Sequence, residues 1–350
     1  MLIRQYETVD NNVMHAKPDL RVFLKWLIAR SGSVITDVIR LMKPYLLITM
    51  FLLLLMGCHQ RGDDAPPVTP AEESAAETHA DGENTAAGIL SGGVAFGDKL
   101  APQPIALSGP AGEYTTQRWK ADWPGCIYED GIKEGHASLY TTGDGSALRI
   151  DYVIGQIGPE KGGVGWRYPI ARSVTAELSY TLTFSEDFDW VKGGKLPGLC
   201  GGPESVTGGN RADGENGFSA RLMWRSDGRG EAYVYHMNQS GNYGDSFAFP
   251  SDFRFPTSKR IKIRMRLVLN TPGQRDGSLD VWVSTPNVQN EQSVVSRSDM
   301  QWRSNDDIAI DGILFETFHG GGDNSWAPRR PSFTLFRDIE FSEMRQKNGG

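Results

Sequence analysis

Several sequence features that would identify a cofactor-dependent or metal-dependent enzyme are missing. A glycine-rich nucleotide-binding loop is absent, because the GGG run at Gly320 precedes DNSWAP and not a helix. The sequence contains neither a G-x-S-x-G elbow nor an H-E-x-x-H motif, and its cysteines lack metal-ligand spacing. The sequence therefore predicts no cofactor and no metal ion.

A long apolar run of the kind that spans a membrane is also missing. The run at residues 44–58, PYLLITMFLLLLMGC, follows basic Arg40 and Lys43 and is too short for a comfortable span. A charged flank before a short apolar core is typical of a secretory signal peptide. The run ends in LMGC, which resembles the bacterial lipobox and implies cleavage before Cys58 and lipidation of that residue. The alternative is a buried core helix with a free cysteine, which the polar linker directly after Cys58 disfavours.

The leader and signal peptide are predicted at residues 1–57, which is long for a lipoprotein signal. Two explanations stay open. Met42 is the true start of the protein, or the loosely helical stretch VFLKWLIARSGSVITDVIRLM is an amphipathic leader.

Branched apolar and aromatic residues are scarce between Cys58 and residue 102, where Ala, Glu, Asp, Gly, Pro and Thr dominate. This composition predicts a disordered tether that starts at the lipidated Cys58. The tether carries seven acidic residues and no Lys or Arg between Asp63 and Glu83, which equals the formal net charge of −7. The remaining chain is charge-balanced, so the acidic pI says little about the partner of its folded part. We expect a protein anchored in the bacterial cell envelope, at the outer membrane, or an extracellular one.

Cysteine is rare, with three residues in 350. If Cys58 carries lipid, Cys126 and Cys200 remain, and an exported protein permits a disulfide between them. The sequence leaves open whether they pair, since two cysteines in one domain are often buried and free.

Residues 103–345 lack any long helical period and instead contain short alternating runs separated by turn signals. This pattern predicts an all-β domain of jelly-roll type, an antiparallel sandwich of two sheets with a concave cleft. The clearest predicted strands are Ala147–Ile154, Glu177–Phe184, Arg260–Leu269, the run RDGSLDVWVS, and the two strands on either side of the glycine-rich loop in ILFETFHGGGDNSWAPRRPSFTLFRDIEF.

The predicted strand Arg260–Leu269 has an outward row of Lys262, Arg264 and Arg266. A solvated face that discourages edge pairing is the favoured explanation, because outward Lys and Arg are common on strands. The alternative is a groove for a polyanion.

The stretch GFSARLMWRSDGRGEAYVYHM, Gly217–Met237, predicts a hairpin with two chemically different faces. Every second residue is apolar and predicted to be core: Phe218, Ala220, Leu222, Trp224, Ala232 and Val234. The other face holds Ser219, Arg221, Tyr233 and Tyr235, which can be neighbours across the strand pair. Arg can bind a carboxylate through two hydrogen bonds, and Tyr can stack on a sugar or exchange a proton. This face therefore suits an acidic sugar.

The segment GGKLPGLCGG, Gly193–Gly202, is predicted to be a loop whose glycines permit tight turns and present Lys195. A single lysine in a loop is usually solvated, so spacing alone gives little support for catalysis by Lys195.

The ordered motifs GGKLPGL, SARLMWR, EAYVYH with Gln239, and TFHGG with SWAP resemble polysaccharide lyase family 14, the alginate and glucuronan lyases. The resemblance covers roughly residues 120–342 and also includes IGPEKGGVGW, to which we assign no chemistry. It implies a β-jelly roll that cleaves uronic-acid polymers. By this resemblance Lys195 matches the essential lysine of the family, and Ser219, Arg221, Tyr233 and Tyr235 match its cleft residues.

β-Elimination of a 1,4-linked uronate requires neutralisation of the C6 carboxylate, removal of the C5 proton and protonation of O4. Arg221, assisted by Ser219, is expected to neutralise the carboxylate. Free Lys and Tyr titrate at about 10.4 and about 10, so the pKa of the base must be lowered, and Arg221 is the visible positive charge. Lys195 is assigned as base, Tyr235 as the proton donor to O4 and Tyr233 as the residue that places the sugar, with the reverse assignment of Lys and Tyr left open.

Two histidines are weaker candidates. A regular strand points His236 away from Tyr235, which argues against His236 as the base. His319, beside Gly320, is a secondary candidate, although a solitary histidine there is more often structural.

Two other functions compete with the lyase hypothesis. A glycoside hydrolase needs two carboxylates across a cleft, for which Asp338 and Glu340 are the candidates. A non-catalytic sugar-binding module needs only aromatic residues and arginine on a curved sheet. We expect a monomer that binds an acidic polysaccharide and the membrane, through Cys58, but no nucleic acid. The sequence leaves open which polyuronate is cut, and whether internally or from an end.

Overall fold

A computed structural model describes residues 101–143, 145–204, 206–285 and 291–344. The predicted leader and signal peptide, the lipobox with Cys58, and the tether up to residue 100 lie outside these ranges. All described residues belong to one compact unit. Within them, no helix has the length and apolar character needed to cross a membrane.

Helices are few and short in the described part of the chain. Helix α1 is Thr116–Asp122, and the hydroxyl of Thr115 caps it by accepting a hydrogen bond from the Arg118 amide. Helix α2 is Pro159–Gly162, with proline in its first turn. Seven and four residues are too short to produce a helical period in the sequence, which explains why neither was predicted.

Strands form nearly all of the remaining regular structure. They are β1 Gln103–Pro104, β2 Gly112–Glu113, β3 Ala137–Thr142, β4 Gly145–Tyr152, β5 Gly163–Ser173, β6 Thr175–Phe184, β7 Gly193–Gly201, β8 Phe218–Arg225, β9 Gly230–Tyr235, β10 Asp245–Ala248, β11 Ile261–Val268, β12 Gly277–Ser284, β13 Gln292–Met300, β14 Ile310–His319 and β15 Ser332–Met344. Each strand that the sequence predicted is present, within a few residues of its predicted ends.

The strands form two antiparallel sheets. The larger sheet has the order β13-β12-β11-β6-β15-β4-β3-β2, and β1 also pairs with β15. The smaller sheet has the order β10-β9-β8-β7-β14-β5. Strands adjacent in sequence, such as β14 and β15, lie in different sheets, as in a jelly roll. The prediction of an all-β jelly roll is confirmed.

The core lies between the two sheets and follows the alternation of the strands. In β11, Ile263, Met265 and Leu267 are buried against the smaller sheet, while Lys262, Arg264 and Arg266 alternate with them. Burial of these aliphatic side chains supplies the main favourable free energy of the sandwich, about 25 cal/mol for each Å² of apolar surface removed from water.

Buried polar groups link the sheets as well. The hydroxyl of Tyr152 in β4 hydrogen-bonds Thr317 of β14 in the opposite sheet and, at 2.9 Å, Thr334 of β15. Because buried hydroxyls without partners are costly, these bonds fix how the sheets are aligned.

The expectation that GGKLPGLCGG is a loop was wrong, because Gly193–Gly201 is strand β7 in the interior of the smaller sheet. Its glycines do not form turns; they allow the neighbouring strands to pack closely against β7. A Cβ at Gly194 would lie 2.1 Å from the Trp224 ring, and one at Gly198 would lie 1.9 Å from the Ala220 carbonyl oxygen. Pro197, which has no amide hydrogen to donate, falls at the register shift between Leu196 and Leu199 in the pairing with β8.

The basic row on β11 lies in the larger sheet. Arg264 forms ion pairs with Glu177 and Glu291, the latter at 2.6 Å, and its guanidinium stacks 3.8 Å from the centre of the Trp282 ring. These contacts are compatible with a charged outer face, but β11 pairs with β12 and β6 in the interior of the sheet, so its charges do not protect an edge.

The two cysteines within the described ranges are not joined. Cys126 is partly exposed and free, and Cys200 is buried and free. Burial raises the pKa of both thiols to about 12, so both are protonated and unreactive at neutral pH.

Candidate active site

A cleft of about 820 Å³ runs across the outer face of the smaller sheet. Side chains from four adjacent strands, β7, β8, β9 and β14, form its floor, and loops form its walls. The side chains that line it include Lys195, Arg221, Met223, Arg225, Tyr233, Tyr235, Tyr243, Glu316, Phe318 and Trp326. Pro159, from the IGPEKGGVGW segment, closes one side.

The predicted hairpin is strands β8 and β9, joined by a short 3₁₀ turn at Ser226–Gly228. Phe218, Ala220, Leu222 and Trp224 are fully buried in the core, as predicted. The opposite face is also covered, since Ser219 and Arg221 are buried. Alternation in the sequence indicated two faces, but it did not show that loops fold over the second one.

The loop between β7 and β8, residues 202–217 apart from residue 205, covers part of this face. The Ser219 hydroxyl donates a hydrogen bond of 2.6 Å to the carbonyl of Val206, and the Gly209 amide donates one of 3.1 Å to the Tyr235 hydroxyl. Ser219 is fully buried beneath this loop and does not line the cleft. Its hydroxyl holds the loop in place.

A second loop, residues 236–244, forms the adjacent wall. Arg211 donates to the Gln239 carbonyl at 2.9 Å, which ties the two loops together. The buried Gln239 side chain donates to the carbonyls of Gly241 and Tyr243, and so holds the turn that carries the Tyr243 ring. Tyr243 is 67% exposed at the mouth of the cleft.

Lys195 reaches the cleft from β7. Its ammonium nitrogen lies 2.8 Å from the Met223 sulfur and 3.7 Å from the centre of the Tyr233 ring. Burial holds the pKa of Lys195 well below its ordinary value, and the positive charges of Arg221 and Arg225 lower it further. The sequence predicted the effect of Arg221, but the larger cause is burial among these groups.

The two tyrosines of β9 form an edge-to-face pair with ring centres 5.7 Å apart. Burial raises the pKa of Tyr233, and its hydrogen bond with Tyr235 raises it further. Tyr233 therefore stays protonated across the physiological range. Tyr235 is almost completely buried, yet it lines the cleft, and its hydroxyl accepts a hydrogen bond from the Gly209 amide.

Arg221 is paired with Glu316 of β14, a residue that the sequence analysis missed. Nη1 of Arg221 donates to the Glu316 carboxylate, and the Arg221 side chain is only 2% exposed. Nε of Arg221 has no hydrogen-bond partner among the described residues. Such a pair is costly to break, because either charge alone would be buried without compensation.

A signal for Glu316 was present in the sequence. In ILFETFH, the residues at 314, 316 and 318 alternate with Phe315, Thr317 and His319, which are buried in the core. The alternation places Glu316 and Phe318 on the face opposite the core, and β14 is hydrogen-bonded to β7. That pairing could not be read from the sequence.

Arg225 and Trp326 were also missed as cleft residues. Arg225 forms a 2.6 Å ion pair with Glu231, and its guanidinium lies 5.7 Å from the centre of the Trp326 ring. Trp326 belongs to a 3₁₀ turn, Asn324–Trp326, in the loop between β14 and β15. Arg225 and Trp326 therefore lie side by side in the lining of the cleft.

The two candidate histidines, His236 and His319, do not line the cleft. His319 points into the core, where it stacks on Phe188, and its Nε2 lies 2.7 Å from the Asp189 carbonyl. Burial lowers the pKa of His319 to about 4, so it is neutral and structural. His236 lies 3.0 Å from the Asp245 carboxylate, and burial lowers its pKa despite that partner.

The carboxylates of the hydrolase hypothesis are not in the cleft. Asp338 and Glu340 lie on β15 of the larger sheet. Among the described residues that line the cleft, Glu316 is the one carboxylate, and it is paired with Arg221. A two-carboxylate mechanism has no pair to use here.

An antiparallel jelly roll with an open cleft, floored by lysine, arginine and tyrosine, defines a carbohydrate-active protein of the kind that handles acidic sugars. The chain belongs to polysaccharide lyase family 14. The profile described as Polysaccharide lyase 14 matches residues 141–339, more than half of the 350-residue chain. A comparison with curated protein sequences gives no significant match.

Solved structures have the same fold. The marine PL-14 alginate lyase from Aplysia kurodai is 25% identical, with a TM-score of 0.60 over 70% of this chain and 98% of its own. A variant of alginate lyase Aly36B, in complex with alginate tetrasaccharide, is 23% identical, with a TM-score of 0.61 over 71% and 98%. Alginate lyase vAL-1 from Chlorella virus is 18% identical, with a TM-score of 0.55 over 69% and 98%.

Proposed function

We propose that this polysaccharide lyase cleaves a 1,4-linked polyuronate, with alginate as the first substrate to test, by β-elimination, and that it acts as a monomer. The observation that carries the proposal is Lys195, whose pKa is lowered by burial and by Arg221, held 3.7 Å above the Tyr233 ring on the floor of an open cleft. Family membership supports lyase chemistry, and the Aplysia kurodai relative, an alginate lyase, supports alginate.

In the proposed reaction, neutral Lys195 removes the C5 proton of the uronate. The C5–H electrons form the C4=C5 double bond, the C4–O4 bond breaks, and Tyr235 donates its proton to O4. The lowered pKa of Lys195 favours it as the base over the tyrosines, because an amine that is neutral near the working pH can accept a proton. Tyr233, whose pKa is raised, stays protonated and positions the sugar.

Arg221 neutralises the C6 carboxylate in this proposal, which acidifies the C5 proton. Because Glu316 already binds one side of its guanidinium, Arg221 is held in a fixed orientation before substrate arrives. Ser219 contributes indirectly, since its bond to Val206 holds the loop that contacts Tyr235.

The test is to incubate the protein with alginate of different block types and with glucuronan, and to record ultraviolet absorbance. Elimination leaves a conjugated unsaturated sugar, whereas hydrolysis or binding does not. We expect absorbance to rise with the wild type and not with Lys195→Ala. Lys262→Ala, on the larger sheet, is the matched control and should keep wild-type activity.

If absorbance rises with none of the polyuronates, the lyase proposal is excluded. Retained binding of the polymer in that case would favour the sugar-binding module. If Lys195→Ala stays active while Tyr235→Phe is inactive, Lys195 is neither the base nor the proton donor.

We also propose that the protein is anchored at Cys58 in the outer membrane of a bacterial envelope. The support is in the sequence, where the apolar run at 44–58 ends in LMGC and an acidic, polar segment follows. The test is metabolic labelling of the full chain with a fatty acid. Label should appear in the wild type and in the control Cys126→Ser, and not in Cys58→Ser. A wild type without label would exclude the anchor.

A further inference from the structure

A second cavity adjoins the cleft. It measures about 580 Å³ and lies where the β8–β9 turn meets the segment that follows β10. Arg225 lines both cavities, so they meet at that side chain. Trp326 of the cleft also lies close to Lys192 of the second cavity, with the ammonium 5.9 Å from its ring centre.

The lining of the second cavity is strongly basic. Lys192, Arg225, Arg229 and Arg254 contribute four cationic side chains, against one carboxylate, Glu231. Glu231 is already paired with Arg225 at 2.6 Å. Three cations are therefore left without a carboxylate in the lining.

These three cations are held by neutral groups. Arg229 donates to the hydroxyl of Ser226 at 2.8 Å, and Arg254 donates to the carbonyls of Ser251 and Phe253. Lys192 donates to the hydroxyl of Ser325, which in turn binds Asp323. Within the described ranges, Arg229 and Arg254 form no salt bridge, and both are exposed. The charges of Arg229 and Arg254 are oriented but not neutralised, whereas Asp323 lies near Lys192.

We propose that this second cavity, here called the basic branch, binds the carboxylates of uronate units beyond those in the cleft. This inference rests on the proposed function, because a polyuronate carries one carboxylate on each sugar and continues past the reacting bond. Clustered cations attract such a chain and raise its local concentration. The basic branch therefore makes the enzyme favour long chains over short oligosaccharides.

The test compares a long polyuronate with the shortest oligouronate that the wild type cleaves. For the double variant Arg229→Ala/Arg254→Ala, we expect KM for the long chain to rise about three- to tenfold at low salt, since each exposed ion pair contributes modestly. We expect kcat on the long chain, and kcat/KM on the short one, to stay within about twofold of the wild type, and the KM difference to shrink at high salt.

Two controls separate this effect from general loss of charge or of fold. Lys120→Ala/Lys262→Ala removes two exposed cations that line neither cavity and should keep wild-type kinetics. Arg229→Lys/Arg254→Lys keeps the charges and should restore most of the affinity for the long chain. Thermal unfolding of each variant shows whether the turn at Ser226 survives the loss of Arg229.

The inference is overturned if the double variant binds the long chain as the wild type does, or if it loses activity equally on both lengths. It is also overturned if Lys120→Ala/Lys262→Ala weakens binding as much. If the wild type makes no unsaturated product, the proposed function fails. Calorimetric titration of the wild type and the double variant with the polymer then still decides whether the basic branch binds it.

Discussion

At the scale of single residues, the charge state of Lys195 decides whether the cleft can act as a base. Burial and the charges of Arg221 and Arg225 lower its pKa, while Glu231 and Glu316 raise it. Within each ion pair, Arg221 with Glu316 and Arg225 with Glu231, the arginine lowers the pKa of Lys195 and the glutamate raises it. The pKa of Lys195 therefore depends on the balance between these positive and negative charges.

This balance predicts the pH dependence of activity. Lys195 must be neutral to accept a proton, so kcat/KM should rise with pH through its pKa. Arg225→Gln removes a positive charge, raises the pKa of Lys195 and should move the rising limb to higher pH by about half a pH unit. Glu231→Gln removes a negative charge and should move the limb to lower pH.

The measurement is a pH profile of kcat/KM for both variants beside the wild type. Each substitution breaks the same ion pair, so loss of the pair alone would shift both profiles alike. Shifts of the same sign, or unchanged limbs, would mean that Lys195 is not the titrating base.

At the scale of elements, strand β7 shows how glycine can build a site. Its glycines allow β8 and β14 to approach closely on both sides, and Lys195 then projects between Met223 and Phe318, its partners in register. Glycine is rare in strand interiors, which is why the sequence suggested a loop. The packing that requires glycine is visible only when the neighbouring strands are known.

Gly198→Ala should therefore destabilise the fold. The new Cβ would lie 1.9 Å from the Ala220 carbonyl oxygen and 2.7 Å from the Arg221 Cα, both backbone atoms that cannot rotate away. We expect a loss of about 1–3 kcal/mol in the free energy of unfolding, and weaker activity because β8 carries Arg221. Denaturant unfolding measures the loss.

Gly241→Ala is the matched control for that substitution. A Cβ there meets nothing within 4 Å, so its stability should match the wild type. Equal stability of Gly198→Ala and Gly241→Ala would show that β7 is not closely packed.

Other elements were predictable because alternation is local. The hairpin of β8 and β9 has Phe218, Leu222 and Trp224 in the core, as its sequence predicted. The same alternation separates core and cleft faces in β14, although Glu316 was overlooked. Loop coverage of Ser219 could not be predicted, since it depends on residues 202–217 folding back over the strand.

At the scale of the whole molecule, the two sheets meet around a polar group in an apolar core. His319 of the smaller sheet packs edge-on against Tyr152 of the larger sheet, with ring centres 5.1 Å apart. Its pKa is lowered by burial from 6.5 to about 4, although the nearby Asp189 opposes the shift. The fold accepts His319 only in its neutral form.

Acid should therefore weaken the fold through His319. The folded protein holds a proton at His319 less tightly than the unfolded chain does, so stability is full above pH 6.5 and is lost as pH falls towards 4. The loss at pH 4 is about 3 kcal/mol. His319→Gln, which cannot titrate, should show a correspondingly smaller loss between pH 7 and pH 4.

Denaturant unfolding at pH 7, 5.5 and 4 measures this effect in the wild type and in His319→Gln. The difference between the two proteins isolates His319 from other groups, including His236. Parallel pH dependence in both would exclude His319 as the acid-sensitive group.

The sequence by itself determined the strands, their faces and the class of chemistry. Alternation, turn residues and the order of motifs are local properties, and each segment carries its own. Tertiary structure decided what the side chains do to one another. Packing of β7 between β8 and β14 places Lys195 beside Tyr233 and near Arg221, and β14 brings Glu316 to Arg221. Burial and charge act through space, so neither the burial that contributes most to the lowered pKa of Lys195 nor the basic branch could be read along the chain.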